Sequence, residues 1–226
     1  MEAIKENTVS AKGQLVNSDS LRFYGDENAK IKILIVGNSI TRHGVLPSIG
    51  WHHDFGMAAS AEENDYVHLL MKKWRERNVD FFLAVKQAAA WEVKVNEGRA
   101  EEENFEDLAC FKPDFIIFRL AENVSTEIDG EYFSNALDDL IKKLNKGNGE
   151  VIYTTSFWKN KTVSDAIRKK AGEGRLVELE DLGEDASMKA YGKFEHSGIC
   201  AHPGDKGMAA FYAGLQLRSG CIACIL

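Results

Sequence analysis

The chain has 226 residues, 44% of them hydrophobic and 28% charged, which suits one large domain with a full core, or one domain with a small extension. Its formal net charge is −7, with Lys and Arg scattered rather than striped, so nucleic acid is not an expected partner. No apolar run approaches the roughly 20 residues a bilayer requires, and the opening M-E-A-I-K-E-N-T lacks the apolar segment of a signal peptide. No membrane partner is therefore expected, and the protein is placed in the cytoplasm, or outside the cell with a leader removed.

Residues 1–30 are polar and mixed. They read as an N-terminal arm on a main domain of residues 31–226, with candidate short strands at 14–16 and 21–24. The organising stretch is I-K-I-L-I-V-G-N-S-I-T at 31–41. Its apolar, β-branched run reads as a strand buried on both faces, and Gly37 is expected to let the chain turn at its end. Ser39 then lies just past the carboxyl end of a central strand, the edge where open α/β sheets bind ligands; it is either a nucleophile or a helix cap. An irregular stretch at 42–56 carries Trp51, His52, His53 and Phe55. The spacing of Tyr66, Leu69, Leu70 and Trp74 predicts a helix over 57–77.

A second buried strand is predicted at 80–85, with Q-A-A-A-W-E at 87–92 as its exit turn, followed by an acidic helix over 99–110. The third strand is D-F-I-I-F-R-L at 114–120, leaving through Ala121-Glu122-Asn123. An amphipathic helix at 131–145, a strand at 151–155 with the exit Ser156-Phe157-Trp158, a helix at 162–171 and a short strand at 176–179 follow. A loop over 180–203 reaches His202-Pro203, and a last helix covers 204–217, with Asp205 at its start. Strand and helix alternate five times. That predicts an α/β fold: a three-layer α/β/α arrangement around a doubly wound, parallel, five-stranded sheet.

The phosphate loop, the dinucleotide glycine fingerprint, H-E-x-x-H and G-x-S-x-G are all absent. Of Cys110, Cys200, Cys221 and Cys224, the last two form a C-x-x-C with no second pair upstream. They read as small apolar residues of a terminal element rather than a zinc or redox site. What converges on one sheet edge is Ser39, Asn123 and His202. Acyl transfer needs such a set: a hydroxyl, an imidazole to take its proton, and N–H donors for the oxyanion. Each alone has a structural reading, as a cap for Ser39 and a packed histidine for His202.

G-N-S-I-T at 37–41, L-A-E-N at 120–123 and A-H-P-G-D-K-G-M at 201–208 resemble, in order, three sequence blocks of the SGNH, or GDSL-like, hydrolases. The resemblance spans residues 32–217. It implies a flavodoxin-like three-layer fold and ester hydrolysis with no cofactor or metal. It assigns Ser39 as nucleophile, His202 as general base, and the Ser39 N–H and Asn123 amide as oxyanion donors. Three departures stand out. Ala121 replaces a usual Gly, the second block at 87–92 has no Gly, and Ile199 stands where an Asp usually precedes the histidine. The imidazole must then work in a Ser–His dyad or be oriented by another group, Glu195 or a backbone carbonyl.

Trp51, Trp91 and Glu92 are the candidate substrate-binding residues. The tryptophans, with Trp158, are either sugar platforms or core; Glu92 and Glu122 are either surface charges or groups that orient the Asn and His. The expected function is a metal-independent serine esterase for a small-molecule or carbohydrate ester, with O-acetyl groups favoured by the Trp- and His-rich loops. The alternative is a carbohydrate-binding protein on the same fold with impaired catalysis. A metal enzyme using His52 and His53 is a third reading. The oligomeric state is left open.

Overall fold

The computed structural model describes Thr8 and residues 20–218; the strand expected at 14–16 and the C-x-x-C at 221–224 lie outside the described residues. The strands are β1 (Leu21–Gly25), β2 (Ile31–Gly37), β3 (Phe81–Gln87), β4 (Phe115–Arg119), β5 (Glu150–Thr154) and β6 (Leu176–Val177). They form one six-stranded sheet in the order β1-β3-β2-β4-β5-β6. All pairs are parallel except β1 on β3. The sixth strand comes from the expected N-terminal arm, so part of that arm is built into the sheet edge.

The helices are α1 (Tyr66–Glu76), α2 (Ala89–Asn96), α3 (Gly130–Leu144), α4 (Lys161–Lys170), α5 (Glu180–Glu184), α6 (Ser197–Cys200) and α7 (Asp205–Arg218). Successive side chains of a strand face opposite ways, and the central strands are apolar on both sides. Leu34, Val36, Ala84, Ile116 and Phe118 pack with α2, α3 and α4 through Trp91, Phe133, Leu137 and Val163. Ile33, Ile35, Leu83, Val85 and Ile117 pack on the other face with α1 and α7 through Tyr66, Leu70, Met208 and Phe211. This is the three-layer, doubly wound architecture. The chain leaves β2 toward β3 on one side and later sets β4 on the other, so the topological switch, where such sheets bind ligands, lies at the end of β2.

Three segments differ from expectation. The helix predicted from 57 starts only at Tyr66, because Ala58 adopts φ +74° and Asp65 caps α1 by accepting from His68 N–H. The 87–92 turn is instead the entry to α2, whose buried face includes a carboxylate, Glu92, among Ala89, Trp91 and Val95, so the apolar spacing is broken there. The acidic 99–110 segment holds only two 3-10 turns, Ala100–Glu102 and Glu106–Leu108. Between them Asn104 Oδ1 accepts from Glu106 N–H at 2.7 Å, a local turn that competes with a helix.

Candidate active site

Gly37 ends β2 at the switch point, and its role differs from the one expected. Its φ is not positive; a Cβ there would fall on the Thr41 side chain and crowd Arg119 O. The glycine thus provides close approach, not a reversed backbone. Thr41 and Arg42 N–H both donate to Asn38 O, at 2.9 and 3.0 Å, closing the tight turn that presents Ser39. Ser39 N–H has no acceptor among the described residues.

The structure brings Ser39 and His202 together: Ser39 Oγ lies 2.8 Å from His202 Nε2. His202 Nδ1 lies 2.7 Å from Gly198 O. A carbonyl can only accept, so Nδ1 carries the proton and Nε2 is the acceptor that the Ser39 hydroxyl needs. The Gly198 carbonyl, in the short helix α6, therefore occupies the place of the absent acid. Ile199, at that acid's usual position, is buried with Ile49, Trp51, Met57 and Ala190. Glu195 is exposed and makes no bond to His202. Trp158 stands edge-on to the imidazole at 5.0 Å and 89°, and its Nε1 donates to Ala201 O at 3.1 Å. Burial pushes His202 down to about 4, against the pull of the Gly198 carbonyl, so the ring is neutral and able to accept a proton at neutral pH.

Asn123 sits on the exit of β4. Its Nδ2 donates to Glu92 Oε2 at 2.6 Å; an amide nitrogen has two hydrogens, and no second acceptor is taken among the described residues. Ala121, where the resemblance expects Gly, holds φ +135°. The glycine-like turn is kept with an alanine in it, a strained conformation of a kind found at functional sites. In the second block Ala88 N–H is bonded to Gly37 O at 2.7 Å and Ala89 N–H to Gln87 Oε1 at 3.2 Å, so neither is free to serve an oxyanion.

Behind these groups lies a buried polar layer. Asn38 Nδ2 donates to Glu122 Oε2 at 2.7 Å and to Glu92 Oε1 at 3.1 Å. Glu122 Oε1 accepts from Arg119 Nη1 at 2.6 Å and Phe157 N–H at 2.7 Å, with both side chains of the Arg–Glu pair fully buried. The Arg119 guanidinium also covers the Phe211 ring at 4.9 Å. Burial works to raise Glu122, but Arg119 outweighs it and holds the carboxyl below its usual value. For Glu92, burial and the neighbouring Glu122 charge prevail, pushing it up to about 7.

The three candidate substrate-binding residues are corrected. Trp51 is fully buried, donates to His43 O at 3.1 Å and packs edge-on against Phe55. Trp91 is buried against Phe118 and Phe133, and Glu92 has no exposed surface. None offers a face to a sugar; apolar area draws both tryptophans inward, with the Trp51 N–H satisfied by His43 O, and four N–H donors draw in Glu92. Of the tryptophans at the expected loops, Trp158 is the one beside the imidazole and partly exposed. The histidine loop is also occupied otherwise. His53 stacks on Phe55, and Asp54 pairs with Arg42 and Arg22. Among the described residues no group of three or more His, Cys, Asp or Glu is gathered as a metal site would need. No described helix is long and apolar enough to cross a membrane.

No protein-family model matches the sequence, nor does any curated protein. Solved structures do. The psychrotrophic esterase EstA from Pseudoalteromonas sp. is 13% identical with a TM-score of 0.54, over 82% of this chain and 94% of that one. TesA is 15% identical with a TM-score of 0.54, over 83% and 97%. A two-domain esterase, CEX, active on acetylated mannans, is 17% identical with a TM-score of 0.54, over 85% of this chain but 49% of its own. The class these findings define is a three-layer α/β fold shared with esterases, with a hydrogen-bonded Ser–His pair at the switch point of its sheet. At such identities the likeness is one of fold, and it agrees with the resemblance to the SGNH hydrolases carried by the three sequence blocks.

Proposed function

We propose that the chain is a serine ester hydrolase that works without a metal, and that its substrate is an O-acyl, most simply O-acetyl, group on a carbohydrate. The observation that carries the reading is the 2.8 Å contact of Ser39 Oγ with His202 Nε2, with the imidazole held from behind by Gly198 O. Ser39 Oγ attacks the ester carbonyl carbon while Nε2 takes its proton. The tetrahedral oxyanion is met by Ser39 N–H and the second hydrogen of Asn123 Nδ2. His202 returns the proton to the departing alkoxide, then deprotonates a water that releases the acid and frees the serine.

A carboxylate behind a catalytic histidine fixes the tautomer and stabilises the imidazolium; losing it in a triad enzyme costs about four orders of magnitude, largely through the wrong tautomer. Gly198 O supplies the first role and, as a dipole, part of the second. The missing acid is thus compatible with catalysis. The carbohydrate preference rests on Trp158 at the site and on the named activity of CEX, since Trp51 and Trp91 are core residues.

The test is acetate release from acetylated mannan and from 4-nitrophenyl acetate. Ser39→Ala and His202→Ala are each expected to lose about three orders of magnitude or more in kcat, and the parent rate is expected to be unchanged by a chelator. Full activity in either variant would exclude the mechanism. Mannan binding with no turnover of any ester would favour the non-catalytic sugar-binding reading, which Ile199 in place of an acid motivates.

A further inference from the structure

Glu92 lies in the first turn of α2, its carboxyl wholly inside the protein, directly behind the groups assigned to the oxyanion. Four N–H donors converge on it. Oε1 accepts from Ala121 N–H at 2.6 Å, Asn123 N–H at 3.3 Å and Asn38 Nδ2 at 3.1 Å; Oε2 accepts from Asn123 Nδ2 at 2.6 Å. The partners come from the residue before the nucleophile and from the strained turn that carries Asn123. All of them are donors. An ionised carboxylate accepts from every one, whereas a carboxylic acid or an amide would set a hydrogen of its own against them.

We infer that Glu92 is a positioning residue of the Ser39 site: as a carboxylate it holds the Asn123 amide and the 121–123 turn where the oxyanion forms, and catalysis requires its ionised form. The inference rests on reading Asn123 as an oxyanion donor. The charge that faces Glu92 is that of Glu122, which shares the Asn38 amide and is itself paired to Arg119; from Asn38, just after β2, and from the 121–123 turn come N–H donors. Burial and Glu122 place its ionisation near 7, while His202 is held near 4. Above pH 7 the carboxylate is present and the donors are held. Below it the proton displaces at least one of them, three pH units before the base itself titrates.

The experiment is the pH profile of kcat for wild type and Glu92→Gln on 4-nitrophenyl acetate, with the Asn123 side-chain amide followed by NMR over the same range. Wild-type kcat is expected to fall below pH 7 and to level off about 10- to 100-fold lower before His202 titrates. Glu92→Gln is expected to lower kcat at pH 8 by about 10- to 100-fold with KM little changed, less than the loss of a whole oxyanion donor, and to abolish the limb near 7. In an Asn123→Ala background the same change is expected to cost less than about threefold, because the two act as one unit. A limb near 7 that survives in Glu92→Gln, or an equal loss in both backgrounds, would overturn the proposal. If Glu92→Gln does not fold, Glu92→Asp, which keeps the charge, is expected to retain the limb while lowering kcat; a change in KM alone would overturn it. The Asn123 amide signals are expected to titrate near pH 7 in wild type whether or not it turns over ester. An inactive wild type therefore counts against the hydrolase reading, while a flat Asn123 titration counts against this one.

Discussion

His202 is a buried imidazole with a carbonyl, not a carboxylate, behind it, and acid should expose the difference. In the unfolded chain it takes up a proton near the ordinary 6.5; in the folded protein, burial defers that to about 4. Between those values the unfolded state binds more protons, so stability is complete above about pH 6.5 and falls as the pH drops toward 4. The loss attributable to this one residue is about 3 kcal/mol. Glu92, pushed up to about 7, contributes a slope of opposite sign over the same range, so the loss is read as the difference between wild type and His202→Gln in urea unfolding at pH 7 and pH 4.5. An identical pH dependence in the variant would show that His202 is not held neutral by burial. The carbonyl behind it could not be located by residue type, because any residue has one. Ile199 announced only that the usual acid was gone, and α6 had to be seen before Gly198 could be named.

At the scale of elements, α1 depends on a residue that its apolar spacing passes over. Asp65 has no exposed surface; it accepts from His68 N–H at 2.7 Å to cap the helix and from Gly56 N–H at 3.0 Å to tie down the loop that follows Ser39. Asp65→Ala removes a cap and leaves a buried N–H unpaired, so it is expected to cost about 2–4 kcal/mol in urea unfolding. A change below about 0.5 kcal/mol would show that the loop is held by other contacts. The sequence-based start at 57 failed because Tyr66, Leu70 and Trp74 extend the helical spacing without marking where Ala58 breaks it. The helix α2 was hidden for the opposite reason: a carboxylate occupies a core position, and polar residues there read as surface. The strands fared better. β2, β3 and β4 are buried on both faces and carry continuous apolar runs, a signal that a helix-covered parallel sheet imposes directly.

Across the whole molecule, strand–helix alternation was enough to predict the layered sheet, because burial on both faces leaves few other arrangements. The edge strand β1 was readable only as a short polar-flanked segment, since one of its sides faces solvent. The places of Ser39, Asn123 and His202 followed from that order, each lying just after a strand or before the last helix. Their surroundings did not: whether Trp51 and Trp91 face outward or inward depends on how loops fold back over the sheet, which spacing along the chain does not encode. The fold thus sets a serine at its switch point with an imidazole upon it, and the serine's own N–H has no acceptor among the described residues. Labelling of the folded protein by a fluorophosphonate at neutral pH, read by intact mass and peptide mapping, tests whether that serine is activated. A single adduct on Ser39, absent in Ser39→Ala and slowed by orders of magnitude in His202→Ala, is the result this account predicts. A folded wild type that takes no label, or carries it on another residue, would contradict it.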